Sequence, residues 1–311
     1  MPFPSLATLT KRSDLLRQLR EFFYERAFIE VQTPLLADEV IPELHIEPFR
    51  VESGGFLQAS PELYMKQLLV AGAKAIFQVT RSFRQGERGQ LHNPEFTLVE
   101  WYRVGDDMDG GIELLDELTR TLLGTPPAKR TSYATAFQEH VGLCPHTATL
   151  DQLNAAASAA PQGINSANRD EWLNLLLATR IEPQMGRDRP EILFHYPASQ
   201  AALAKTTIGP TAYEVAERFE LYYHGIELAN GYHELADAGE LRARFEAVNA
   251  ARAADGRRAL PLPERWLAAM NQGLPACTGV ALGFDRLFML AIGAKSIDEV
   301  MAISPRPDSC E

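Results

Sequence analysis

His92-Asn93-Pro94-Glu95-Phe96-Thr97-Leu98-Val99-Glu100-Trp101-Tyr102, reached from Phe83-Arg84 across a short polar loop, is the stretch that decides how this chain is read. Its companion lies far downstream, at Gly279-Val280-Ala281-Leu282-Gly283-Phe284-Asp285-Arg286-Leu287. Alternation predicts two strands around the first loop, 75–84 and 96–103. Ile76, Gln78, Thr80, Ser82 and Arg84 then share one face, and so do Phe96, Leu98, Glu100 and Tyr102. A buried sheet face rarely carries an arginine, a glutamate and a tyrosine together without a use for them. The downstream stretch reads as a glycine-bearing strand running into a helix that begins near Arg286.

Working outward, residues 11–27 read as an amphipathic helix with Leu15, Leu16, Leu19, Phe22 and Phe23 on one face and Thr10 or Ser13 as its cap. Phe28 to Pro34 reads as a short strand ending at a proline. A helix is expected at 112–123. From about 124 to 210 helical segments (Leu150–Ala160, Trp172–Thr179) alternate with proline-rich turns, as in an insertion. Residues 215–223 and 226–229 form a hairpin around His224-Gly225. In that hairpin Tyr222 faces Glu227 and Glu220 lies diagonally from it, so both glutamates share a face. A helix at 239–254 stops at Gly256. Every piece serves one core, so residues 1–311 are expected to form a single α+β domain, a mainly antiparallel sheet flanked by helices.

Composition sets limits. The chain has 311 residues and is 46% hydrophobic, enough for a sizeable core, with no stretch apolar enough to span a bilayer. The start, Met1-Pro2-Phe3-Pro4-Ser5, does not resemble a secretory signal. Cys144, Cys277 and Cys310 lack metal spacing and read as reduced thiols of a cytoplasmic protein. The net charge of −11, from 41 acidic and 30 basic residues, argues against an extended nucleic-acid surface.

The two opening stretches resemble motifs 2 and 3 of class II aminoacyl-tRNA synthetases, most closely the lysyl enzymes, and the helix, strand and proline of residues 11–34 resemble motif 1. The resemblance runs from about Thr10 to Pro307. Motif 1 begins so early that no anticodon-binding domain is expected. Within the class, the length, the 195–204 segment (His-Tyr-Pro-Ala-Ser-Gln-Ala-Ala-Leu-Ala) and the alanine in motif 3 resemble the free-standing lysyl-synthetase paralogues that modify elongation factor P. That family implies an ATP-dependent ligase which adenylates (R)-β-lysine, or lysine, and transfers it to the ε-amine of a lysine on the factor. It also implies a homodimer through motif 1, no tRNA partner and no membrane. The alternatives are a truncated lysyl-tRNA synthetase, an ammonia-using amide ligase of the asparagine-synthetase type, and a non-catalytic regulatory paralogue.

The same resemblance assigns residues. Arg84 and Arg286 are the catalytic cations, because phosphoryl transfer needs positioning and fixed positive charge, and a guanidinium offers paired donors to phosphate. ATP would lie against Arg84, Gln85, Gly86, Glu87, His92, Asn93, Phe96, Glu227, Leu228, Gly283 and Arg286, with Phe96 stacked on adenine. The family's Arg-x-Glu reads Arg84-Gln85-Gly86 here, so Glu87 or the Gly86 backbone takes the adenine contact. Glu220 and Glu227 would hold Mg²⁺. Ser60, Pro61, Glu62, Glu100, Tyr102, Asn230, Glu234 and Ala281 would form the amino-acid pocket, where carboxylates and a tyrosine hydroxyl suit a cationic substrate. Ala281 replaces the glycine of the lysyl enzymes and would reshape the pocket floor.

Overall fold

In a computed structural model that describes residues 5–157, 168–210 and 212–303, register rather than any single element builds the molecule. Its first half comprises helix α1 (Leu6–Tyr24), the short strands β1 (Ile29–Glu30), β2 (Leu36–Ala37) and β3 (Phe56–Leu57), helix α2 (Glu62–Val70), strands β4 (Ala75–Phe83) and β5 (Glu95–Val104), and helix α3 (Met108–Leu123). Then come β6 (Lys129–Ser132), α4 (Tyr133–His140), α5 (Leu150–Ala156), α6 (Arg169–Leu176), β7 (Glu191–Pro197) and β8 (Thr206–Ile208). The last part is β9 (Glu214–Tyr223), β10 (Ile226–His233), α7 (Ala238–Ala254), α8 (Glu264–Met270), β11 (Cys277–Gly283) and α9 (Phe284–Ile292). The main sheet runs β1-β4-β5-β11-β10-β9-β7-β6, with β8 on β9; only β1–β4 and β6–β7 are parallel. It is an α+β fold with a mainly antiparallel sheet.

The pairing lines residues up in rows. Phe77 pairs with Trp101, Trp101 with Val280, Val280 with Gly231 and Gly231 with Phe219. This row faces α1, α3 and α9, which deliver Phe23, Leu115, Leu118 and Leu287 to one apolar core. Phe23 stacks on Phe77 at 4.5 Å. Each such large apolar side chain contributes about 1.5–3 kcal/mol by leaving water. Gly231 is required here, since a Cβ would come within 2.4 Å of the Phe219 ring.

One step along, the row on the opposite face is Gln78, Glu100, Ala281, Asn230 and Glu220. That polar face is covered at one end by α2, α7 and α8 around Trp266, and at the other by α4–α6 around Trp172. The middle is left open.

Several expected boundaries move. Helix α1 starts earlier, because Ser5, not Thr10 or Ser13, accepts the Thr8 amide at 3.1 Å. The Phe28–Pro34 strand shrinks to Ile29–Glu30, which pairs only with Ile76 and Phe77. Helix α3 begins at Met108 because Asp107 caps it. Strand β10 extends to His233 past a β-bulge between Glu227 and Ala229. The stretch 124–210 supplies strands β6, β7 and β8 as well as helices; the expected helix end at Ser158–Ala160 and the resemblance's end at Pro307 lie outside the described residues. Cys144 and Cys277 are unpaired, and Cys310 lies outside the described residues. No helix among them is long and apolar enough to cross a membrane.

Candidate active site

A cavity of about 280 Å³ opens in the middle of the polar face. At the end covered by α2 it is built from acid groups. Tyr102 donates to Glu100 at 2.6 Å, and Ser60 donates to its other oxygen at 2.7 Å while accepting the Glu62 amide at 3.0 Å. Glu234 enters from the end of β10. Lys66, one turn into α2, places Nζ 2.5 Å from Glu62 and 2.6 Å from Glu234 Oε2. That Glu234 oxygen lacks an aligned hydrogen bond and is buried. Burial, then the charge of Glu62, pushes Glu100 up to about 7 against its two hydrogen bonds. Burial pushes Glu234 up to about 8, with Lys66 opposing and Glu62 adding to the shift. Lys66 is held above its ordinary value by Glu234 and Glu62, although burial alone would lower it.

Gly279 makes this crowding possible. A Cβ there would lie 2.2 Å from the Tyr102 ring and 2.3 Å from Glu234 Oε1. Ala281 forms the floor between Glu100 and Asn230. The Asn230 amide donates to Tyr232 at 2.8 Å and its oxygen accepts from Arg218 at 3.3 Å.

The other end carries the arginines. Arg286 does not pair with Asp285, which instead binds Arg12 at 2.6 Å and the Thr97 amide at 2.6 Å. Arg286 donates to the Glu227 carbonyl at 2.8 Å and the Leu91 carbonyl at 3.2 Å, and meets His92 Nε2 at 2.6 Å. Burial and the Arg286 charge hold the His92 pKa low, so the ring is neutral and accepts that bond. Arg84 has a loose ion pair to Glu87 at 3.8 Å, lies over the Phe96 ring at 5.1 Å, and its buried Nε has no hydrogen-bond partner. Asn93 spends its amide on the Glu95 carbonyl at 2.6 Å. A Cβ at Gly283 would meet nothing closer than 3.8 Å, so the protein's own packing does not demand that glycine.

Glu227 lines the cavity, with Arg286 the nearest cation at 3.8 Å. Burial, then the charge of Glu220, raises it to about 7. Glu220 does not line the cavity. Its carboxylate is taken by Tyr196 and Tyr222 at 2.5 Å each and by Arg218. The family model for class II tRNA synthetases (D, K and N) matches residues 5–305. An elongation factor P–(R)-beta-lysine ligase of Klebsiella pneumoniae (strain 342) is 44% identical over 97% of this chain and 96% of that protein. Ligases of the same name from Salmonella heidelberg (strain SL476) and Salmonella agona (strain SL483) are 42% identical with the same coverage. This chain belongs to their family.

Of the residues that the family resemblance assigned, Ser60, Glu62, Glu100, Tyr102, Asn230, Glu234 and Ala281 meet at the acid end. Arg84, Glu87, His92, Asn93, Phe96, Glu227, Leu228, Gly283 and Arg286 line the remainder. Pro61, Gln85, Gly86 and Glu220 do not reach the cavity. Pro61 is the residue just before α2, and the Gln85 backbone N–H donates to the Glu47 carbonyl at 2.8 Å. Sequence reasoning missed the parts played by Lys66, Gly279, Arg218 and Tyr196. The spacing of Glu62 and Lys66, four residues apart within a helix, was the one signal available for any of them.

Proposed function

We propose that this chain is an ATP-dependent ligase which activates a lysine-type diamino acid, (R)-β-lysine before α-lysine, and transfers it to the ε-amine of a lysine on elongation factor P. The charge of the acid end carries this reading. With Glu62, Glu100 and Glu234 ionised, as bound ammonium groups would favour, three carboxylates and the Lys66 ammonium leave two negative charges in excess, a match for a substrate with two ammonium groups. The names of the relatives support the same choice of substrate and acceptor.

In the first step a substrate carboxylate oxygen attacks the α-phosphorus of ATP, and the bond to pyrophosphate breaks. Arg84, with its unpartnered Nε, and Arg286, aimed along β10, supply fixed charge where charge accumulates. In the second step the acceptor amine attacks the acyl carbon, sheds a proton, and AMP leaves. Mg²⁺ fits at Glu227, whose crowding with Glu220 a divalent cation would relieve. Glu220 would stand behind it, tied to Arg218. Bound there, Mg²⁺ would supply positive charge to neutralise the triphosphate; among the described residues no three His, Cys, Asp or Glu converge to hold a metal by themselves.

We read residues 1–311 as one catalytic domain with an insertion at 124–210, and as a cytoplasmic homodimer. Leu6, Tyr24, Ile29 and Leu36, all on or beside the motif 1 elements, are 80%, 52%, 62% and 54% exposed, which supports an apolar contact there. The test is incubation with ATP, Mg²⁺ and labelled β-lysine, with elongation factor P in one arm and tRNA in the other. Label on the factor is expected. Label on tRNA alone would replace this reading with that of a synthetase.

A further inference from the structure

Lys66 takes no part in the chemistry above, yet its side chain is wholly buried beside the amino-acid pocket. Its neighbours on α2 are Leu63, Met65 and Leu69, and the rings of Trp266 and Tyr102 lie 5.5 Å and 5.9 Å from Nζ. A buried ammonium is costly, and an apolar side chain would fill this space more cheaply. The charge therefore has a use beyond packing. Lys66 does not line the cavity, so it acts through Glu62 and Glu234, which do.

The geometry points to Lys66 as a positioning residue: a resident ammonium that clamps the Glu62 and Glu234 carboxylates together, so that the cavity's remaining negative charge selects a substrate bearing two ammonium groups. Two details support this. Lys66 bridges carboxylates from two separate elements, α2 and the end of β10, and so fixes the pocket's width. Glu234 and Glu62 line the cavity while Lys66 does not, so the clamp sets how these carboxylates are presented to a substrate amine. Without Lys66, three carboxylates would face one another across a small cavity, and repulsion would favour their protonation. The titratable groups that bear on this cluster are Glu62, Glu100, Glu234, Glu43, Tyr102, Tyr232 and the Cys277 thiol.

This inference rests on reading the cavity as a diamino-acid site. The test is ATP–pyrophosphate exchange between pH 6 and 9 for the wild type, Lys66→Met and Lys66→Arg, with α-lysine and β-lysine varied in turn. Lys66→Met is expected to raise the amino-acid KM roughly tenfold or more, to leave the ATP KM within about twofold, and to move the acid limb of the KM–pH profile to higher pH. Lys66→Arg, which keeps the charge, is expected to return the limb to its wild-type position. A folded Lys66→Met enzyme with an unchanged limb and amino-acid KM overturns the role. Equal losses for ATP and amino acid overturn it too, since they mark general damage. If Lys66→Met does not fold, Lys66→Arg decides: a limb at the wild-type position supports the role and a displaced one overturns it. A wild type inert with every diamino acid would instead sink the reading of the pocket.

Discussion

The cavity has two acidic ends on one face of one sheet, and they are neutralised in opposite ways. At the amino-acid end, Glu62 and Glu234 share the point charge of Lys66, while Glu100 has only the neutral hydroxyls of Tyr102 and Ser60. At the far end, Glu220 is saturated by Arg218, Tyr196 and Tyr222, while Glu227 faces the cavity with almost no partner. Each end thus holds a carboxylate without a close cation beside carboxylates that have one. The compensated groups hold the frame. Glu100 and Glu227, both pushed up to about 7, and Glu234, pushed up to about 8 despite Lys66, are where a cation from outside gains most.

The largest expected effect tests that division directly. Glu220→Gln strands the Arg218 guanidinium and should cost about 3–5 kcal/mol of stability. Glu100→Gln removes a charge that its neighbours already repel, so urea unfolding should show no comparable loss, while the amino-acid KM rises. Equal destabilisation by both substitutions would erase the distinction between frame and site.

Next in size is Arg84→Ala. Losing a charge-assisted contact to the reacting phosphate should slow pyrophosphate exchange by about 3 kcal/mol, or roughly a hundredfold or more. The KM for the amino acid, set at the other end, should barely move. Exchange within about twofold of wild type in a folded variant would remove Arg84 from the mechanism.

Ala281 sits between Glu100 and Asn230, where one methyl bears on the substrate. Ala281→Gly should shift selectivity toward α-lysine by about 1–3 kcal/mol. An unchanged ratio of kcat/KM for the two isomers would move specificity to the 195–204 segment.

The smallest effect is on pH. The carboxyls of Glu100, Glu227 and Glu234 lie above their ordinary value of 4.5, at about 7, 7 and 8. The folded state therefore holds more protons than the unfolded one across that window, and the empty enzyme loses stability as pH rises through it. The raised pKa of Lys66 leaves its contribution constant below its ordinary 10.5. The Tm of the free enzyme should fall between pH 6 and 8.5, and the rise on adding β-lysine should be greater at pH 8.5. Equal ligand-induced shifts at both pH values would argue against ionised carboxylates as the amine partners.

Much of this was legible before any coordinates. Alternation in 75–84 and 96–103 placed Gln78, Glu100 and Tyr102 on one face, because a strand has a fixed period of two. The pairing of Gln78 with Glu100 and of Ile76 with Tyr102 follows that pattern. The hairpin turn at His224-Gly225 put Tyr222 opposite Glu227, as the register has it. The family resemblance, not local chemistry, marked both arginines.

The bulge beside Leu228 was not legible, and it decides the site. It places Asn230 opposite Glu220, so Asn230, Tyr232 and Glu234 join Glu227 on the polar face. Unbroken alternation would have put Ala229 and Gly231 there instead. A bulge is one extra residue whose cost is repaid by packing on both sides, here Leu228 in the apolar core. The ties on Glu220 come from Tyr196 and Arg218, brought together by a sheet that joins β7 to β9. The sequence by itself determined what depends on neighbours along the chain: strand faces, helix periods, the turn, and the kinds of charged group available. The tertiary structure decided the longer-range partners, Lys66 with Glu234 and Glu220 with Tyr196, because those groups approach only when segments distant in sequence lock into register.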